Sequence, residues 1–336
     1  MKIYKMIFFN SMVMGTMIAV SSYSWMSMWM GLEINLLSVI PLFSNSKNIF
    51  SSESSMKYFI TQALASMMLL TSMIMMMNMN EFIFPLMNKS FSIMINTSLM
   101  VKLGAAPFHF WFPEVIEGLN WNNSLILLTW QKIAPMMLIM NMNVNKMFII
   151  TIIIMCLIIS TISGFNQISL RKIMAFSSIN HMAWMLSSMM ISYSAWTIYF
   201  SVYTMLTFMI SYIFKLTKSY YLNQLNNVMN NSKLTKISLL LNFLSLGGLP
   251  PFLGFFPKWI IINWLTNNSM MVMTGILIVT TLVMLYIYLR MMMTPLMLFT
   301  NEPKMPTIKI KNKMLMTTNM MTMMGLIVCT LLINLM

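Results

Sequence analysis

Five residues carry side chains that can hold or release a proton, yet their neighbours in the sequence are almost all apolar. They are Glu33 in Trp29-Met-Gly-Leu-Glu33-Ile-Asn35, Lys102 near the end of an apolar run, Lys132 in Thr129-Trp-Gln-Lys132-Ile-Ala-Pro135, His181 in Ser177-Ser-Ile-Asn-His181-Met-Ala-Trp184, and Lys258 in Gly254-Phe-Phe-Pro-Lys258-Trp259. A lysine at the centre of a bilayer costs roughly 2.5–3.5 kcal/mol on insertion scales, so each one needs a reason. Burial disfavours the charge of an ammonium, and a nearby carboxylate favours it again. A lysine so placed takes up and releases a proton as the charges around it move. A glutamate, a lysine that can face it and a second lysine form a minimal electrostatic switch. An imidazole, which titrates near about pH 6.5, can relay between such groups. Pairing that merely locks helices together would account for Glu33 with Lys102. It accounts poorly for Lys132 and Lys258, because Glu114 and Glu117 fall just past the fourth apolar run and Glu302 in a loop. His109 sits beside aromatic residues at the end of its run and is read as a packing residue.

The elements that position these groups are membrane helices. Of 336 residues, 59% are hydrophobic and 8% charged, and the mean hydropathy is +0.78. A soluble domain is about 25% charged, so this chain cannot cover itself with a water-compatible surface. A hydrocarbon core about 30 Å thick needs about 20 apolar residues per helix. The runs predict spans at 3–20, 24–43, 56–78, 91–111, 124–140, 147–165, 173–191, 195–217, 237–267, 270–293 and 314–335. The ninth is too long for one straight helix and contains Gly247, Gly248, Pro250, Pro251, Gly254 and Pro257, so it is expected to break in mid-membrane.

An internal repeat supports that expectation. Gly104-Ala-Ala-Pro107, five residues and Pro113 recur as Gly248-Leu-Pro-Pro251, five residues and Pro257. The copies lie five spans apart and therefore point in opposite directions across the membrane. Interrupted helices at matching positions of two inverted halves point to a transporter's ion path. The expected fold is an all-α membrane protein of about eleven transmembrane helices, with two inverted five-helix repeats that each contain a broken helix. Residues 1–145 form the first repeat, 146–293 the second, and 294–336 a loop with a C-terminal helix.

Charge supports the same count. The net charge of +14 comes from 20 Lys+Arg against 6 acids. Eleven spans place fifteen of the basic residues on the N-terminal side, Lys89 and Lys146 on the other, and Lys102, Lys132 and Lys258 within the membrane. Such asymmetry is the positive-inside signal, not a nucleic-acid surface. Cys156 and Cys329 both lie in apolar runs, which rules out a disulfide framework or a multi-cysteine metal cluster. No phosphate-binding loop, dinucleotide fingerprint or cluster ligand set is present, so any redox chemistry belongs to an assembly. The 49 Met and the excess of Lys over Arg suit an A+T-rich genome with an extra Met codon, as in animal mitochondria. No cleavable targeting sequence is visible, and an organelle-encoded product would need none.

Together with Lys102-Leu-Gly-Ala-Ala-Pro-Phe-His-Phe-Trp-Phe-Pro-Glu114 and Leu246-Gly-Gly-Leu-Pro-Pro-Phe-Leu-Gly-Phe-Phe-Pro-Lys258-Trp259, the motifs above resemble the NADH dehydrogenase subunit 2 family in its short animal (invertebrate) form. These are antiporter-like membrane subunits of mitochondrial NADH:ubiquinone oxidoreductase, respiratory complex I. The resemblance implies a proton-translocating subunit without a redox centre, with NADH, FMN, iron–sulfur clusters and ubiquinone bound by other subunits. It implies core and accessory subunits of the complex as partners, neighbouring membrane subunits among them, phospholipid around the chain and no nucleic acid. It places the chain in the mitochondrial inner membrane, N-terminus in the matrix and C-terminus in the intermembrane space. By motif match, Glu33 and Lys102 resemble the family's paired switch, Lys132 its central lysine, and Lys258 the lysine of the second broken helix. His181 resembles the histidine on the axis between them. The alternatives are a free-standing cation/proton antiporter subunit of the related multi-subunit type, and a membrane scaffold with vestigial charges.

Overall fold

A computed structural model of the chain describes residues 3–45, 48–79, 85–142, 145–231, 233–250, 252–297 and 320. Regular structure among them is helical, apart from an isolated bridge between Ser169 and Tyr221. The chain divides into two compact units, Met1–Met155 and Cys156–Met336. The first holds α1 (Ile3–Ser21), α2 (Trp25–Phe43), α3 (Ile49–Met79), α4 (Pro85–Leu103), α5 (Trp111–Gly118), α6 (Trp121–Leu128) and α7 (Trp130–Asn141). The division falls inside α8 (Lys146–Phe165). The second unit holds α9 (Leu170–Met189), α10 (Tyr193–Thr217), α11 (Leu222–Asn231), α12 (Lys233–Gly247), α13 (Phe255–Asn267) and α14 (Met271–Met297). Pro251 and, apart from Met320, the expected span at 314–335 lie outside the described residues.

Among the described residues six helices are long and apolar enough by themselves to cross a bilayer: α1, α2, α3, α8, α10 and α14. The other expected spans within the described residues hold the breaks and the buried polar residues. In the fourth run α4 ends at Leu103 and, after seven intervening residues, α5 begins at Trp111, where the expected span ended; the ninth is α12 and α13 with seven residues between them. The seventh, α9, is buried along nearly its whole length, including Ser177, Ser178, Asn180, His181, Ser187 and Ser188. A helix covered on all sides can carry polar groups that a lipid-facing one cannot.

One interruption is absent from the sequence expectations. The run 124–140 is two helices, α6 and α7, parted at Thr129. The Thr129 hydroxyl donates to Leu125 O at 2.7 Å, a back-bond that bends helices. Pro135, inside α7, has no N–H to donate to the Gln131 carbonyl one turn back. Lys132 thus lies between two local weaknesses in its helix.

Small residues set the closest helix approach in the first unit. A Cβ on Gly31 of α2 would stand 2.5 Å from the Ala19 nitrogen of α1, and one on Gly15 would stand 2.8 Å from the Asn35 nitrogen. Gly15 and Ala19 are one turn apart and form the small-xxx-small ridge that lets membrane helices touch backbone to backbone. Gly31→Leu is expected to force α1 from α2 and cost about 3 kcal/mol, as overpacking does. Native-gel quantification of the assembled chain should show clear loss; normal abundance and heat resistance would contradict this packing.

Candidate functional site

Glycine ends both broken helices in the same way. Gly104 has φ +71° and Gly248 has φ +80°, in the left-handed region that side chains disfavour. At the first, Gly104 N donates to Val101 O at 3.1 Å and Ala105 N to Met100 O at 3.1 Å. At the second, Gly248 N donates to Ser245 O at 3.0 Å and Leu249 N to Leu244 O at 3.3 Å. Both patterns are Schellman caps. The prolines play other parts: Pro107 and Pro250 follow the caps in the connections, while Pro113 and Pro257 sit in the first turns of α5 and α13. A missing N–H costs nothing in a first turn.

A helix end away from water needs donors for its free carbonyls. At the α4 end, the Trp111 indole donates to Val101 O at 3.1 Å and the Gln62 amide to Lys102 O at 3.3 Å. At the α12 end, the Lys258 ammonium donates to Leu246 O at 3.1 Å and Gly247 O at 2.9 Å. Lys102 itself lies in the last turn of α4. Each broken helix therefore presents the negative end of its dipole to a lysine.

In the first unit, Lys102 is buried and Glu33 on α2 is within electrostatic reach of it. Among the described residues no ion pair joins the two, and Glu33 Oε1 is buried without a hydrogen-bond partner. Lys102 lines a cavity of about 20 Å³ with Asn35, Tyr58, Gln62 and Gln131 as its other polar residues. Asn35 and Gln131 form a reciprocal amide pair, each nitrogen donating to the other's oxygen at 3.0 Å. Tyr58 OH donates to the same Gln131 oxygen at 3.2 Å. Lys132 is 1% exposed, and its ammonium lies 5.7 Å from the centre of the Phe112 ring. His109 is buried, turned back on Pro107 O at 3.3 Å and packed on Phe110.

In the second unit, His181 is buried, and its Nδ1 is 2.8 Å from the Tyr199 hydroxyl. Tyr203, one turn along α10, lies against the same imidazole at 5.2 Å between ring centres. Tyr199 stacks on Trp184 at 6.5 Å, and the Lys258 ammonium lies 5.7 Å from the Trp184 ring centre. His181, Tyr199, Trp184 and Lys258 thus form a continuous set. Among the described residues, Asn180 Oδ1 and both polar side-chain atoms of Asn242 are buried with no hydrogen-bond partner, the kind of atom that ordered water serves in protein interiors.

Sequence reasoning missed Asn35, Tyr58, Gln62 and Gln131 in the first unit, and Trp184, Tyr199 and Tyr203 in the second. Some signals were present. Asn35 and Gln131 adjoin singled-out charges in their motifs, and Trp184 stands three residues after His181 on the same helix face. Tyr58 and Gln62 are one turn apart in α3, but nothing in a polar start to an apolar run separates them from surface residues.

Helices that stop within apolar surroundings, each with a lysine at the stop, define a membrane transporter type of protein. The family model described as NADH:quinone oxidoreductase/Mrp antiporter, TM, matches residues 22–285, and the chain belongs to that family. It is 50% identical to NADH-ubiquinone oxidoreductase chain 2 of Anopheles gambiae over 86% of this chain and 85% of that one. It is 42% identical to the protein of the same name from Locusta migratoria, over 97% and 96%. In fold it resembles a chain of respiratory complex I from Thermus thermophilus, with TM-score 0.85 and 19% identity over 97% of this chain and 78% of that one. It also resembles a chain of the Mrp complex from Dietzia, with TM-score 0.77 and 14% identity over 88% and 60%.

Proposed function

We propose that this chain is a proton-translocating membrane-arm subunit of NADH:ubiquinone oxidoreductase, coupling NADH oxidation and ubiquinone reduction to proton pumping. The observation that carries this reading is the lysine held at each helix break, Lys102 at the end of α4 and Lys258 on the last carbonyls of α12. A carboxylate moving toward or away from Lys102 changes how tightly that lysine holds its proton. Glu33 and Lys102 thereby form the switch. Lys132, His181 and Lys258 are the further proton-holding groups, and Gly104, Pro107, Gly248, Pro250, Pro251 and Pro257 are the helix-break residues of the same reading. The chain carries no redox centre; NADH, FMN, iron–sulfur clusters and ubiquinone belong to other subunits. Its partners are core and accessory subunits of the complex, neighbouring membrane subunits among them, with phospholipid around it.

The same reading gives eleven spans in two inverted five-helix repeats, 1–145 and 146–293, followed by a matrix loop and a last span in 294–336. The N-terminus lies in the matrix of the mitochondrion and the C-terminus in the intermembrane space, as the excess of basic residues on one side supports. Purification of the native assembly tests the function. A very large complex with NADH:ubiquinone activity is expected, whereas a small assembly without it would support a free-standing antiporter. For the topology, a protease should reach tags at the two ends from opposite faces of the inner membrane, and access from one face would defeat the odd span count.

A further inference from the structure

The polar cavity beside Lys102, about 20 Å³, is too small for a ligand and large enough for one water, which needs about 10–15 Å³. Its lining has the right hydrogen-bond capacity. The Gln131 oxygen already accepts from Asn35 and from Tyr58, which uses both of its lone pairs. The Asn35 oxygen accepts from Gln131 and keeps one lone pair, and the Tyr58 oxygen donates once and can still accept. Lys102 offers three donors, and among the described residues no protein acceptor lies against its ammonium.

We propose that Tyr58, Gln131 and Asn35 are positioning residues that hold one water against the Lys102 ammonium and orient it as the first acceptor of the lysine's proton. The water turns its hydrogens toward the spare lone pairs of Tyr58 and Asn35, which leaves its own lone pairs facing Lys102. The amides of Asn35 and Gln131 hold the water and do not carry the proton onward, because a carboxamide neither gains nor loses a proton at neutral pH. The water passes the proton to the Glu33 carboxylate, the acid within electrostatic reach of Lys102. Its rigidity comes from three helices. Asn35 is on α2, Tyr58 on α3 and Gln131 on α7, and Tyr58 is wedged edge-on between Phe43 at 5.5 Å and Trp111 at 5.9 Å. The inference rests on Lys102 being a proton-holding group of the proposed function.

The test uses the assembled complex in native membranes. Tyr58→Phe keeps the ring between Phe43 and Trp111 and removes only the hydroxyl. Gln131→Met keeps chain length and removes the amide. Both are expected to assemble, and turnover per assembled complex should fall about fivefold, the scale of one lost hydrogen bond. The solvent deuterium isotope effect on turnover should rise, because a badly placed acceptor makes the proton step slower relative to the others. A role in packing alone would lower the amount of complex and leave that isotope effect unchanged. Swapping the amides, with Asn35→Gln and Gln131→Asn together, should recover turnover over Gln131→Met. If Tyr58→Phe shows normal turnover and an unchanged isotope effect, the bracket is overturned, whether or not Gln131→Met assembles. Lys102→Met in the same membranes separates the two levels. Normal pumping there removes the function of Lys102 itself, whereas impaired pumping beside a normal Tyr58→Phe removes only the bracket.

Discussion

Lys132→Met is expected to leave the complex assembled and to cut coupled NADH:ubiquinone turnover and proton pumping about tenfold or more, within the range for loss of a positioned proton-transfer group. Methionine keeps the length of the lysine stem and its packing beside the Phe112 ring, where a thioether is well tolerated. The substitution also removes a charge from a site that is 1% exposed, where a charge carries a desolvation cost. Lys102→Met should behave differently. It takes away the cation within electrostatic reach of Glu33, whose Oε1 is already buried without a partner. A stranded buried acceptor costs about 1–3 kcal/mol, more when charged, so this variant should lose abundance as well as turnover. Native-gel abundance and coupled turnover measured in the same membranes separate the two effects. A Lys132→Met complex that pumps and turns over normally would leave the central lysine without a role.

Gly248→Ala should have the second large effect, and on geometry alone. At φ +80° an alanine is strained by about 1–2 kcal/mol. Its Cβ would also stand 2.8 Å from both Cδ and Nζ of Lys258, so the lysine must leave the carbonyls of Leu246 and Gly247. Charge-assisted hydrogen bonds of this kind are worth about 1.5–3 kcal/mol each. Turnover is expected to fall about tenfold with partial loss of assembly. Gly275→Ala is the control, since a Cβ there meets nothing within 4 Å and α14 gains a better helix former. Equal behaviour of the two variants would show that Lys258 does not depend on the shape of the break.

Much of this was legible in the residues because membranes impose simple rules. Apolar runs of span length reveal helices directly, and a charge inside such a run is conspicuous because it is costly. Glu33, Lys102, Lys132 and Lys258 were singled out on that ground, and His181 because an imidazole can relay protons. Polar, uncharged residues give no such contrast. Asn35, Tyr58, Gln62 and Gln131 come from three helices, and only packing brings them to one cavity. Their joint role depends on distances that no spacing along the chain encodes. Thr129 illustrates a further limit, since a threonine in an apolar run is unremarkable until its hydroxyl is seen back-bonded to Leu125 and its helix parted there.

The sequence by itself determined that the chain is helical, membrane-borne, related to a known family, and broken near Gly104 and Gly248. Those properties follow from composition, period and motif, which are local quantities. Only the tertiary structure decided how the broken ends are satisfied. Trp111 and Gln62 serve the carbonyls of α4, and Lys258 itself serves those of α12. It also decided that glycine caps, with the prolines in supporting places, end both helices. The physical reason is that a carbonyl away from water must find a donor, and which donor it finds depends on three-dimensional neighbours rather than on the order of residues along the chain.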